Sequence, residues 1–274
     1  RMTVESITFI GGGNMARSLI AGLVRQGVPA AQIHVAEPVA ALREALAADF
    51  GVQTHETAAA AAAQGQTWLL AVKPQVLREV CQSLQALAQA QAPLVVSIAA
   101  GITSAQLQRW LGGALPVVRA MPNTPALLGA GVTGLYATAA VDAQQQAQAD
   151  RVLASAGRTV WIDDEALMDS VTAVSGSGPA YVFLLAEAME AAGIAQGLPA
   201  DAARALTVQT LLGASRMLDE AGESPAELRR RVTSPNGTTQ AAIESFQADC
   251  IHPLAKAHPL ILDNIWPELQ KLIA

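Results

Sequence analysis

The stretch Gly11-Gly12-Gly13-Asn14-Met15-Ala16 has the residue types to hold a pyrophosphate. It fits G-x-G-x-x-A, follows the β-rich run Ile7 to Ile10 and opens a helical pattern. Gly11 permits a tight turn, Gly13 lets a phosphate approach the backbone, and Ala16 allows close packing of helix on strand. The N–H groups of the helix start, from Asn14 and Met15 onward, and the helix dipole favour an anion. A glycine-rich turn without a ligand has the same composition. The place at the first strand of a βαβ unit favours the dinucleotide reading. Glu37, 24 residues after Gly13, stands at the end of the second strand. An acid there accepts hydrogen bonds from ribose hydroxyls and repels a 2′-phosphate, although a solvated loop charge would look the same. Arg43 offers a phosphate a partner, so the cofactor is expected to be NADPH or NADH, with NADH used well.

Three more segments fall at the C-terminal ends of apolar strands, where an open parallel sheet binds ligands. They are Ala71-Val72-Lys73-Pro74, Ala99-Ala100-Gly101 and Met121-Pro122-Asn123. Singly, each is also an ordinary turn. In register they outline one crevice, with Lys73 as a candidate cofactor contact.

A second constellation lies further along. Val174-Ser175-Gly176-Ser177-Gly178-Pro179 is a polar, glycine-rich break between two apolar helical patterns. A helix–helix turn accounts for Ser177 as a cap and Pro179 in a first turn. Two glycines with two serines also suit close approach of a ligand. It is not a hydrolase elbow, because Ser175 occupies the position where G-x-S-x-G needs glycine. Glu165, Thr172 and Ser175 are spaced seven and three apart, which puts them on one face if the segment is an α-helix. Thr233-Ser234-Pro235-Asn236-Gly237-Thr238-Thr239 reads as a turn feeding a helix. Its hydroxyls and free N–H groups suit a carboxylate, and an ordinary N-cap explains it equally.

Other reactive residues form no pattern. Cys250, His252 and His258 match no metal spacing. His34 and His55 read as loop or strand-edge residues. The run Arg229-Arg230-Arg231 sits at a helix C-terminus, where it complements the dipole.

The elements that position these residues change character midway. Strands are expected at Ile7–Ile10, Ile33–Ala36, Trp68–Val72, Leu94–Ile98, Pro116–Met121 and Thr159–Ile162, with helices between them. After Asp163 nearly every long stretch has helical spacing, including Glu165–Val174, Pro179–Ala192, Pro199–Glu220, Pro225–Val232, Thr239–Gln247 and His252–Ile273. The domain boundary is therefore placed between residues 162 and 163, giving 1–162 and 163–274.

The whole composition fits this division. The 274 residues are 51% hydrophobic and 15% charged, which excludes a disordered chain. A net charge of −6 argues against a nucleic-acid partner. Two cysteines, Cys81 and Cys250, exclude a disulfide framework and point to free thiols in a reducing compartment. Mean hydropathy is high, at +0.31, but the long uncharged runs are broken by glutamines, prolines and glycines. No membrane span is expected, and the N-terminal run lacks the order of a secretory signal. A cytoplasmic location follows as an expectation.

The glycine loop, AVKP, SIAAG, RAMPNTP, SGSGPAY and TSPNGTT occur in this order over nearly the whole chain. Together they closely resemble the pyrroline-5-carboxylate reductases, with SGSGPAY and SP-x-G-x-T the specific pair. The resemblance implies an α/β fold: an N-terminal Rossmann dinucleotide-binding domain followed by an all-helical dimerisation domain that interlocks with a second subunit. It implies NAD(P)H-dependent reduction of 1-pyrroline-5-carboxylate to L-proline, in a homodimer or higher homo-oligomer, with no metal. By motif, Thr172 lies near the nicotinamide and the ring nitrogen as the catalytic residue. Glu165, Thr238 and Thr239 line the substrate site, with Ser234 and Gly237 nearby. The acidic Glu37 departs from relatives that read a 2′-phosphate there. Two other functions share this layout. A β-hydroxyacid dehydrogenase would need a lysine on a helix of the second domain, where only Lys256 and Lys271 occur after Asp163. A dinucleotide-sensing module would not need two polar loops in the helical half.

Overall fold

The computed structural model describes residues 6–235, together with 239, 240 and 243. These residues divide into two compact units between Pro179 and Ala180.

The first unit alternates strand and helix in chain order. β1 (Ile7–Ile10), α1 (Asn14–Arg25), β2 (Ile33–Ala36), α2 (Ala40–Phe50), β3 (Gln53–His55) and α3 (Ala58–Ala62) come first. β4 (Thr67–Leu70), α4 (Pro74–Gln91), β5 (Leu94–Ser97), α5 (Ser104–Trp110) and β6 (Val117–Met121) follow. β7 (Gly131–Ala137), α6 (Ala143–Ala154) and β8 (Gly157–Trp161) complete the sheet, and a short helix α7 (Met168–Val171) comes after it.

The strands lie in the order β3-β2-β1-β4-β5-β6-β7-β8. The first six are parallel, and the order reverses direction beside β1, which is where such sheets bind dinucleotides. β7 runs antiparallel to β6, and β8 parallel to β7. Alternation along the strands separates two buried layers. Ile7, Phe9, Val35, Leu69, Val96 and Val118 pack on one side with Leu19, Leu23 and Leu153 of α1 and α6. Ile10, Ala36, Trp68, Leu70, Val95 and Val117 pack on the other with Leu77, Leu84 and Trp110 of α4 and α5. α4 lays Leu77, Cys81, Leu84 and Ala88 on one buried stripe at helical spacing. Burial there pushes the Cys81 thiol up to about 12.

Two strands were not expected from the sequence. β3 is a three-residue edge strand made of polar residues. Its His55 meets His34 of β2 with Nε2 and Nδ1 3.2 Å apart. Burial holds the pKa of both imidazoles below the ordinary histidine value, and for His34 the charge of His55 adds to this. β7 contains Gly131 and Gly134, which hid its strand character. Gly134 is required by packing, since a Cβ there would collide with Val171 of α7.

The second unit consists of helices. α8 (Gly178–Ala195), α9 (Ala200–Glu220) and α10 (Pro225–Arg231) are joined by short turns. Gly193 faces Leu198 and Ala203 closely, and Arg204 pairs with Glu190 at 3.6 Å. Ser224 caps α10, and Arg229, Arg230 and Arg231 occupy its last turn. Among the described residues, no helix is long and apolar enough to cross a membrane.

Candidate active site

The glycine loop turns tightly between β1 and α1. Gly11 has φ +107° and its N–H donates to Ala36 O at 2.9 Å. A Cβ on Gly11 would stand 2.7 Å from the Ala71 carbonyl oxygen, so the loop after β4 closes directly over it. Gly13 is the N-cap of α1 and carries no capping side chain. A Cβ there would meet no atom of the protein, which leaves the mouth of the loop clear, and Ala16 is buried beneath it. Open N–H groups, a clear approach and a close-packed floor fit a dinucleotide pyrophosphate.

Glu37 is buried and turned onto this loop. Its Oε2 accepts from the Gly12 N–H at 3.2 Å and its Oε1 from the Val39 N–H at 3.0 Å. The side chain therefore braces the glycine loop from the end of β2. A carboxylate has about four lone-pair sites, so two bonds to the protein leave acceptor capacity. Arg43 donates through Nη1 to the carbonyls of Glu37 and Pro38, both at 2.8 Å, which brings a guanidinium to the same end.

The other expected cofactor segments fall at successive strand ends. Ala71, Val72, Lys73 and Pro74 lead from β4 into α4, with Pro74 in the first turn and Lys73 exposed. Ala99, Ala100 and Gly101 lie between β5 and α5, with Gly101 at φ +75°. Met121 ends β6, followed by Pro122 and Asn123. Asn123 is a brace: its Oδ1 accepts from Val132 N at 2.9 Å, and its Nδ2 donates to Ser175 O at 3.1 Å.

Glu165 and Thr172 lie on a chain segment whose geometry differs from the α-helix their spacing suggested. A 3₁₀ turn, Glu165–Leu167, passes into α7 and then into a π-helical turn, Thr172–Gly176. Three helix types in succession mean that spacings of seven and three no longer define one face. Two side-chain bonds accompany the wider turn. Thr172 Oγ1 donates to Met168 O at 3.0 Å, and Ser175 Oγ donates to Val171 O at 2.9 Å. Such bonds compete with the regular helix ladder, and π turns concentrate at functional sites. Gly176 lets Met121 pack close, since a Cβ would come 2.7 Å from the Met121 methyl.

The Glu165 carboxylate receives three protein hydrogen bonds. Ser104 N donates to Oε1 at 2.6 Å, Ser104 Oγ to Oε2 at 2.7 Å, and Arg119 Nη1 to Oε1 at 2.9 Å. Burial alone would raise this carboxyl. The bonds from Ser104 and Arg119, with the guanidinium charge, outweigh that and hold it below the usual carboxylate range. Arg119 and Ser104 were missed by sequence reasoning. One signal existed: Arg119 is the single charge in the apolar strand β6, and a buried charge requires a partner.

In the second unit, Ser234 and Thr239 are exposed, and Thr233 Oγ1 donates to Arg229 O at 2.7 Å. Gly237 and Thr238 lie outside the described residues.

Known proteins match at two levels. A family model for pyrroline-5-carboxylate reductase dimerisation matches residues 165–257, and a model for coenzyme F420-dependent NADP oxidoreductases matches residues 6–101. The pyrroline-5-carboxylate reductase of Pseudomonas aeruginosa is 54% identical over 257 residues, covering 93% of each chain. That of Haemophilus influenzae is 44% identical over 248 residues, covering 90% of this chain and 91% of its own. A solved pyrroline-5-carboxylate reductase from Coxiella burnetii superposes with a TM-score of 0.90 at 37% identity, over 99% of this chain and 100% of that one. Similarity of this extent, spanning both units and every motif described above, makes this chain a member of the pyrroline-5-carboxylate reductase family.

Proposed function

We propose that this protein reduces 1-pyrroline-5-carboxylate to L-proline with NADPH or NADH, the last step of proline biosynthesis. The observation that carries this is the 54% identity to a pyrroline-5-carboxylate reductase over 93% of both chains. The glycine loop, clear above Gly13, supports the dinucleotide part independently.

The cofactor, when bound, supplies a hydride from its nicotinamide ring. The residues proposed to hold it are Gly11, Gly13, Asn14, Met15 and Glu37 at the pyrophosphate and ribose end. Ala71 to Pro74, Ala99 to Gly101, and Met121 with Pro122 line the crevice, and Asn123 braces its wall. Ser234, Gly237, Thr238 and Thr239 are proposed for the substrate carboxylate. The work of the chain is to hold a protonated cyclic imine against the hydride donor and keep water away.

Thr172 is proposed to face the imine. Its hydroxyl hydrogen is used on the Met168 carbonyl, so what it offers is a lone pair. Thr172 then accepts a hydrogen bond from the iminium N–H and orients the ring. Orientation supplies most of the rate.

The domain division proposed for this chemistry is 1–162 and 163–274, following the dimerisation model that begins at residue 165, although Glu165 and Thr172 pack within the first compact unit. Assembly as a homodimer or larger homo-oligomer is supported by the dimerisation model over residues 165–257. A cytoplasmic setting is supported by the buried free thiol of Cys81.

Steady-state rates with pyrroline-5-carboxylate and each nicotinamide cofactor test the proposal. Turnover to proline with both cofactors is expected. Binding of NADH without turnover would instead make the chain a dinucleotide sensor.

A further inference from the structure

We propose that Arg119 and Ser104 are positioning residues that act through Glu165 to hold the Thr172 segment in place. This rests on the reductase reading above. Ser104 is the first residue of α5, just after the Ala99–Gly101 loop, and Arg119 lies two residues before Met121. Both therefore belong to the walls of the cofactor crevice. Glu165 opens the turn that runs directly into α7 and Thr172. Three hydrogen bonds on its two oxygens tie that turn to both walls at once.

A second fastening lies on the other side of Thr172. Asn123 donates to Ser175 O at 3.1 Å, three residues beyond Thr172. Thr172 thus sits between two attachments that both reach back to β6 and the loop after it. Between them, Val171 packs against Gly134, and the Met168 carbonyl takes the Thr172 hydroxyl. The rotamer of Thr172 is set by groups whose positions depend on Glu165.

The charges support positioning over direct contact. The Arg119 side chain is 9% exposed and that of Glu165 24%, so the pair is largely withdrawn from water. A buried guanidinium needs its counter-charge, and removing one partner strands the other. Glu165 is paired with Arg119, and three protein donors occupy most of its acceptor sites.

Kinetics and amide exchange on four variants test this in the full-length protein. Glu165→Gln keeps the shape and removes the charge. It is expected to lower kcat about tenfold with both KM values within about twofold. The primary deuterium isotope effect with reductant deuterated at the transferred position is expected to rise. Amides of residues 165–176 are expected to exchange faster, with no nucleotide present. Arg119→Met is expected to lose more, and Arg119→Met/Glu165→Met to recover part of that loss, because neither charge is then stranded. Should Arg119→Met fail to fold, Arg119→Lys takes its place, with a loss smaller than that of Glu165→Gln. A raised substrate KM with kcat intact in Glu165→Gln would put Glu165 on the substrate and overturn the proposal. Unchanged isotope effect and exchange would overturn it too, as would losses in the double variant that simply add. No turnover by the wild-type chain would defeat the reductase reading itself, and the positioning role with it.

Discussion

The sheet unit and the helical unit meet the problem of burying apolar surface in opposite ways. In the sheet unit Trp68, Phe9, Leu19, Leu70 and Leu77 are wholly buried within their own chain. α8 and α9 hold as many apolar residues per turn, yet α8 has no buried side chain and α9 only Ala203 and Thr207. Phe183 is 66% exposed and Leu206 59%. Apolar faces of this kind are covered by association in a stable protein. A unit that completes its own core is packed without help, whereas one that leaves its core open is built to be completed by another subunit.

The contrast is open to attack, beginning with its strongest consequence. Trp68→Ala removes a wholly buried ring whose indole N–H donates to the carbonyls of Ala62 and Gly65. It is expected to cost about 3–5 kcal/mol, read by chemical denaturation. That loss should stay constant over about a hundredfold range of protein concentration, because the group lies in a core of its own chain.

Phe183→Glu puts a charge on the uncovered face of α8. It is expected to weaken assembly by about 2 kcal/mol or more, seen as a shift toward monomer in analytical ultracentrifugation. An unchanged mass at every concentration would show that this face is not where subunits meet. Thr172→Val asks whether chemistry depends on the segment fastened to the sheet. Loss of one hydrogen bond is expected to cost about 1–3 kcal/mol, or roughly ten- to a hundredfold in kcat/KM. Wild-type kcat and kcat/KM, with hydride transfer limiting, would remove Thr172 from the reaction.

The smallest effect concerns acid. His34 and His55 have lowered folded pKa values, so the unfolded chain takes up protons first as pH falls through 6.5. Stability present above pH 6.5 is therefore lost as pH drops toward the folded values. His55→Gln should flatten that decline in a series of denaturation curves. For Glu165 the loss comes lower, as pH falls from its ordinary 4.5 through the depressed folded value, and Glu165→Gln should flatten that limb.

Much of this was legible from residue order, and the failures have physical reasons. The glycine loop and the apolar strands announce themselves because backbone approach and two-sided burial each demand particular residue types. β3 did not, since an edge strand needs no apolar run, and β7 did not, since the glycines that admit Val171 and the loop before it also erase strand propensity. The carboxylate of Glu37 could be placed at the end of β2, but its bond to Gly12 depends on side-chain direction, which spacing does not encode. Glu165 is assigned to the substrate site by motif resemblance alone, and no residue near it in the sequence announces its hydrogen-bond partners. Its partners, Ser104 and Arg119, come from 61 and 46 residues away, and such pairs are written in the fold alone.

Cys81 turns the packing of α4 into a clock. A thiol held near 12 beneath that helix has almost no thiolate at neutral pH, and alkylating reagents react with the thiolate. Labelling at Cys81 therefore waits for α4 to lift from the sheet. Its rate, followed by mass spectrometry on the unmodified sequence, would report how often this side of the core opens while the rest of the molecule stays folded.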